Sequence, residues 1–158
     1  MTGDNPLSLR VHNGSMTAPA TAQTDYFGLT IPFMHFIGLV PEHVEKDYAR
    51  TTLPWRQDLT NSRGDVHGGA IASLLDCGLA AAVRSHDPAA FGVVTIDLTL
   101  HFVSAGGGDL IATAHCERRG RSISFARGEV HTEDGTLVAM ATGTFKLVAR
   151  AASTPPSP

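Results

Sequence analysis

The chain has 158 residues, with 42% hydrophobic side chains, 17% charged ones and a formal net charge of −3. That length builds one domain with a sizeable core, and the composition is that of a globular protein, not a disordered one. The slightly acidic balance excludes the basic footprint of a protein that binds nucleic acid or an anionic membrane surface.

In chain order, residues 1–24 are rich in Thr, Ala, Gly, Asn and Pro without periodicity and are expected to form a flexible tail. Residues 26–39 (YFGLTIPFMHFIGL) are apolar and aromatic and predict a short helix from Pro32, since proline fits a first helical turn. Residues 40–53 have strand character, with Val44, Tyr48, Thr51 and Thr52 among charged neighbours. A turn-rich segment, 60–69 (TNSRGDVHGG), precedes residues 70–84 (AIASLLDCGLAAAVR), which are nearly all good helix formers. This helix is apolar almost all round, the mark of a buried one. Across 93–103, Val94, Ile96, Leu98, Leu100 and Phe102 alternate with Thr95, Asp97, Thr99 and His101, as in a half-buried antiparallel strand. Residues 110–118 and 121–131 read as strands joined at Gly120, and 136–148 as another entered through Asp134-Gly135, a strong hairpin signal. The expected fold is α+β: a four-stranded antiparallel meander, completed by the earlier strand, around one long helix. The domain should span residues 25–150, followed by a flexible tail, 151–158 (AASTPPSP).

No run approaches the ~20 apolar residues of a membrane span. No charged start with an apolar run marks a signal peptide, so a cytoplasmic setting is expected. Cys77 and Cys116 form no CxxC pair and read as buried, reduced thiols. The histidines are scattered, with no metal-ligand spacing, so no metal or other cofactor is expected.

Two features of the long helix point to chemistry. At its entry, His67-Gly68-Gly69 leaves backbone N–H groups uncovered where the positive end of the helix dipole lies, a site for a carbonyl oxygen becoming an oxyanion. Glycines that merely permit a sharp turn and close packing are the plainer reading. In mid-helix, Asp76 is a lone carboxylate among Leu74, Leu75, Cys77 and Leu79, with Ser73 on the same face. An unpaired buried charge is costly, so Asp76 has a partner, reaches solvent, or is kept for use. Gly68 and Asp76 stand ~12 Å apart along the axis at 1.5 Å per residue. One acyl carbonyl can therefore meet both only if two copies of the helix run antiparallel, as in a two-fold dimer.

Asn61, His67-Gly68-Gly69 and Asp76 within Ser-Leu-Leu-Asp, with residues 95–99, 102–105, 108–110 and 119–123 and the Asp134-Gly135 turn, resemble the PaaI-type hotdog-fold acyl-CoA thioesterases over roughly residues 37–147. The resemblance implies a hotdog fold, acyl-CoA as substrate, and a homo-oligomer of at least a dimer, commonly a tetramer. It further implies that the Gly68 N–H polarises the thioester carbonyl, that His67 and Asn61 shape that corner, and that Asp76 of the facing subunit acts as base or nucleophile. Thr95 then supplies a hydroxyl near Asp76, although alternation places it on the polar side of its strand. Gly69 and Ser73 are candidates for substrate contact. Arg118, Arg119 and Arg121, in one hairpin of a chain with few lysines, are candidate contacts for the phosphates of coenzyme A. The acyl pocket is expected to depend on Phe33, Met34 and Phe36. Gly106-Gly107-Gly108 departs from the proline frequent in the family there.

Two other activities compete. An acyl-CoA hydratase or dehydratase would place an Asp and a His together at the helix entry, about five residues apart, and this chain does not. A non-catalytic acyl-CoA binding module would need neither a base at 76 nor a hydroxyl at 95.

Overall fold

The computed structural model describes residues 25–150, so both expected tails lie outside the described residues. A short helix, α1 (Pro32–Ile37), has proline at its start and ends on Gly38, whose φ of 77° turns the chain out of the helix. Residues 40–53 form a hairpin, β1 (Val40–Glu45) and β2 (Tyr48–Leu53), in place of the single strand expected. Its link is Lys46-Asp47, with Asp47 at φ 65°. Without a glycine, this turn carries none of the usual two-residue hairpin signature.

The long helix, α2, runs Gly68–Arg84. Four strands follow: β3 (Phe91–Phe102), β4 (Leu110–Arg119), β5 (Ile123–Thr132) and β6 (Leu137–Ala149). All pairings are antiparallel, in the order β1-β2-β4-β5-β6-β3. The meander is thus β4-β5-β6 alone. β3 was expected beside β4, yet it lies at the far edge against β6, because residues 103–109 form a crossing link and not a hairpin turn.

The sheet wraps α2, which touches all six strands. Leu74, Leu79, Ala82 and Val83 are fully buried against Leu53, Leu110, Val130, Val138 and Phe145. The helix approaches β4 closely because small residues meet there: a Cβ placed on Gly78 would sit 3.8 Å from those of Ala112 and Ala114. The enclosure is incomplete, contrary to the all-round burial expected. Ala72, Ser73, Asp76 and Ala80, spaced at three and four, form a partly exposed stripe along one side.

Two arginines tie down the C-terminal end of α2. Arg119 Nε and Nη2 each donate to the Val83 carbonyl at 3.1 Å, while Nη2 pairs with Asp47 at 2.5 Å. Arg84 is 3% exposed; its Nη2 donates to the carbonyls of Tyr26 (2.8 Å) and Phe27 (3.0 Å), and its Nη1 to that of Pro88 (3.1 Å). These bonds hold a turn in which Phe27 and Gly28 are both left-handed, at φ 47° and 84°.

The packing predicts opposite signs for two substitutions. Gly78→Ala adds a methyl at ordinary contact distance and removes a mid-helix glycine, so it should raise stability by about 0.5–1 kcal/mol. Leu75→Ala, at a side chain 1% exposed, should lower it by about 2–5 kcal/mol. Denaturant midpoints of the two variants check both.

Candidate active site

Asp76 projects from the open stripe of α2 and is half-buried. Thr95 Oγ1 donates to Asp76 Oδ1 at 2.8 Å. Simple alternation puts Thr95 on the polar face of β3; an irregularity in the strand reverses that. Thr95 pairs with Phe145 and Asp97 with the adjacent Thr144, so Ile96 is an extra residue without a partner on β6. Such a bulge resets the alternation. Thr95 and Leu98 thereby share the helix-facing side, while Asp97, Thr99 and His101 face away.

Beside this pair lies a cleft of about 150 Å³. Leu29, Ile31, Met34, Ala80 and Val93 form its apolar walls, and Asp76, Thr95, Cys77, Tyr26 and Arg84 contribute the rest. Of the three side chains expected to shape an acyl pocket, only Met34 lines it; Phe33 and Phe36 are 52% and 73% exposed on α1. Tyr26, Leu29, Ile31, Arg84 and Val93 were not anticipated as a group. Only the apolar character of residues 26–39 hinted at some of them.

The entry to α2 lines a second, separate cleft of about 360 Å³, bordered by Asn61, Arg63, Gly68, Ile71, Phe102 and Gly106 among others. His67 is the N-cap of the helix: its Nδ1 accepts from the Gly69 N–H at 2.8 Å. Accepting there leaves the proton of the neutral ring on Nε2. Glycine at 69 leaves this cap room, because a Cβ there would lie 3.1 Å from His67 Nδ1 and the ring would have to give way by a few tenths of an ångström. Gly68 answers to a different demand. A Cβ there would make only ordinary contact with the Phe102 ring, at 3.4 Å, and its φ is not left-handed. Among the described residues its N–H meets no acceptor. Asn61 shapes the loop that leads in: its Oδ1 accepts from the Arg63 N–H at 2.8 Å and its backbone N–H donates to Asp65 at 2.8 Å. The amide nitrogen of Asn61 makes no bond among the described residues. Ser73 Oγ donates to the Gly69 carbonyl at 2.9 Å, within its own helix.

Of the candidate arginines, Arg118 and Arg121 are exposed near the β4–β5 turn. Arg119 is not free for a phosphate, since its guanidinium is engaged by Val83, Ala82 and Asp47. Among the described residues, no group of three or more His, Cys, Asp and Glu side chains could hold a metal ion, and no helix is long and apolar enough to cross a membrane.

Both cysteines are free and buried. Burial, with a smaller push from neighbouring Asp76, raises the Cys77 thiol to about 12. Burial likewise raises Cys116. A thiol so shifted stays protonated at neutral pH and is no nucleophile. The folded protein should therefore resist an alkylating reagent at pH 7.5 and expose both thiols on unfolding in guanidinium. Rapid alkylation of Cys77 in the folded state, read by peptide mass, would contradict this.

Comparison with known proteins agrees with the geometry. The family model described as the thioesterase superfamily matches residues 63–139. A Halobacterium salinarum protein, whose name of esterase is provisional, is 35% identical over 125 residues, covering 72% of this chain and 83% of its own. The medium/long-chain acyl-CoA thioesterase YigI of Escherichia coli is 27% identical over 143 residues, covering 77% of this chain and 88% of its own. The structure of the Escherichia coli PaaI protein, from the phenylacetic acid degradation operon, superimposes with a TM-score of 0.68 at 22% identity, over 73% of this chain and 83% of that one. This last likeness is one of fold, the hotdog, in which an antiparallel sheet rolls around a central helix. From its close relative and the family match together, the chain belongs to the thioesterase superfamily.

Proposed function

We propose that the protein hydrolyses acyl-CoA thioesters to a free acid and coenzyme A at a site shared by two subunits. The observation that carries this reading is the hydrogen bond from Thr95 to Asp76 at the mouth of an apolar cleft. It leaves the second carboxylate oxygen available for chemistry. The acyl chain enters that cleft, and its carbonyl oxygen accepts from the Gly68 N–H of the facing subunit. Asp76 then either takes a proton from an attacking water or attacks the carbonyl carbon itself. Negative charge gathers on the carbonyl oxygen, where an unpaired N–H at the positive end of a helix stabilises it. Collapse of the tetrahedral adduct breaks the C–S bond. With water as nucleophile the acid forms directly, and the proton held by Asp76 goes to the departing thiolate. With Asp76 as nucleophile an acyl–Asp76 anhydride forms, the thiolate takes its proton from solvent, and a second water hydrolyses the anhydride to the free acid. Water, a base and an N–H donor suffice, so this route draws on no cofactor.

Two further observations support a dimer. β3 is a twelve-residue edge strand on which Val94, Ile96 and Phe102 are half-exposed or more. An edge that long and apolar invites pairing with another chain. The open stripe of α2 lies on the side that β3 borders, since Asp76 reaches Thr95. A two-fold pairing across both would bring each helix entry toward its twin's Asp76. It would also bring Arg118 and Arg121 of one subunit, near the C-terminal end of its helix, toward the other's Gly68 cleft, where they are the proposed partners of the coenzyme A phosphates. A tetramer is the assembly that the family resemblance suggests, and the cytoplasm is the compartment this substrate implies. His67 and Asn61 orient the oxyanion corner, with Gly69 and Ser73 alongside the substrate.

Release of free thiol from a panel of acyl-CoAs tests the reading. Asp76→Ala should reduce kcat by about 10²–10⁴-fold. Gly68→Pro removes the N–H at a helix position where proline is tolerated, and should cost about 10²–10³-fold. A subunit-mixing experiment then tests the shared site. Co-refolded Asp76→Ala and Gly68→Pro chains should recover about a quarter of wild-type activity, because half the dimers are mixed and each has one intact site. No recovery in proven mixed oligomers would sink the shared site, and saturable binding without thiol release would favour a binding module instead.

A further inference from the structure

Arg84 is a buried titratable group that the hydrolysis does not use. It lines the same cleft as Asp76. It is 3% exposed, yet its three hydrogen bonds all go to neutral backbone carbonyls: Tyr26, Phe27 and Pro88. Among the described residues no carboxylate pairs with it. Burial lowers its pKa; of its ionisable neighbours Tyr26 acts in the raising direction and Arg150, of like sign, in the lowering one. Tyr26, whose own hydroxyl is pushed up by burial, is uncharged at neutral pH and is no counter-ion. A buried guanidinium without a counter-ion is expensive to maintain. An apolar cleft that served only to hold an alkyl chain would be better closed by a leucine or methionine.

Geometry limits what can supply the missing charge. Arg84 follows Asp76 by eight residues, ~12 Å along the axis, and helical side chains lean toward the N-terminus. The guanidinium therefore lies nearer Asp76 than its Cα does. The cleft's ~150 Å³ matches a cavity that takes a six-carbon ring. An acyl chain of about five or six carbons, with its thioester at Asp76, is of the size this cleft holds between Asp76 and Arg84. Two of the five N–H groups of Arg84 are not used by its three bonds.

We propose that Arg84 determines specificity, by binding the distal carboxylate of an acyl group derived from a short dicarboxylic acid. This rests on the thioesterase reading above and adds the substrate class. The incoming carboxylate neutralises the guanidinium in a poorly solvated setting, where charge-assisted hydrogen bonds are strongest. Asp76, although also acidic, stands eight residues earlier on the helix and is engaged by Thr95.

Paired substrates of equal length test this: glutaryl-CoA against pentanoyl-CoA, and adipoyl-CoA against hexanoyl-CoA. The purified full-length protein should favour the carboxylated member of each pair by about ten- to a hundredfold in kcat/KM. Arg84→Met should bring that ratio to one or below, and Arg84→Lys should restore part of it. Because Arg84 also holds the Tyr26–Phe27 turn, a variant that fails to fold is replaced by a measurement on the wild type. There, free glutarate and adipate should inhibit at tenfold or more lower concentration than pentanoate and hexanoate. Equal ratios in the wild type, or equal inhibition by mono- and diacids, would overturn the role of Arg84 while leaving the thioesterase reading intact. Failure to cleave these four while other acyl-CoAs of the panel are cleaved would overturn the substrate class alone; failure across the whole panel would overturn the thioesterase reading with it.

Discussion

An apolar helix of seventeen residues must be shielded from water on nearly every side, and the architecture follows from how that is done. Leu74, Leu75, Leu79 and Val83 each contribute about 1.5–3 kcal/mol when removed from water. A flat sheet could cover only one face of α2. Here six twisted strands roll around it, and small residues at the contact, Gly78 against Ala112 and Ala114, let helix and sheet approach closely. The roll does not close. β1 and β3 are its two free edges, and the stripe carrying Asp76 remains open. The one acidic side chain of the helix thus stands where the sheet does not reach, which is why it can be tolerated there at all.

The two ends of α2 are treated differently, and the difference matters chemically. At the C-terminal end, Arg119 donates to the Val83 and Ala82 carbonyls, and Arg84 anchors the neighbouring segments. Cations at that end also suit the helix dipole. At the N-terminal end no acidic residue occupies the first turn, and the His67 cap satisfies the Gly69 N–H but not that of Gly68. Among the described residues this leaves a donor without a partner in one cleft and a carboxylate with only one oxygen bonded in another, two helical turns and more along. On the proposed reading neither is a complete site within one chain, since one carbonyl cannot reach both.

Much of this is legible in the residues alone, and the exceptions have physical causes. β4 to β6 are linked by turns that announce themselves, as at Asp134-Gly135. The central helix is unmistakable from its length and its leucines and alanines. The β1–β2 hairpin escapes notice because Lys46-Asp47 reaches a left-handed conformation without glycine. The place of β3 escapes because a crossing link of loop residues looks, in sequence, like any other loop. Thr95 is the sharpest case. Alternation assigns it to the wrong face, and only the pairing register, with Ile96 left over, returns it to the helix. The arginines mislead in a further way. A cluster of charge in a turn reads as a solvated patch, so nothing separates Arg119, which clamps the helix, from exposed Arg118 and Arg121. Arg84, at the last position of α2, reads as an ordinary dipole partner, and its burial is visible only in three dimensions.

The Ile96 bulge also ties the site to the exposed edge. β3 presents its outer backbone to whatever pairs with it, and flat strands can slip in register by two residues at little cost. A bulge interrupts the ladder and bends the strand locally, so pairing along that edge is no longer equivalent at every offset. The residue before the bulge is Thr95, which holds Asp76. A partner strand that seats against β3 must accommodate the kink at Ile96, and in doing so is registered relative to the carboxylate a few ångströms away. Under the proposed two-fold pairing, the irregularity that turns Thr95 toward the helix is also the feature best suited to fix where a second copy's helix entry arrives.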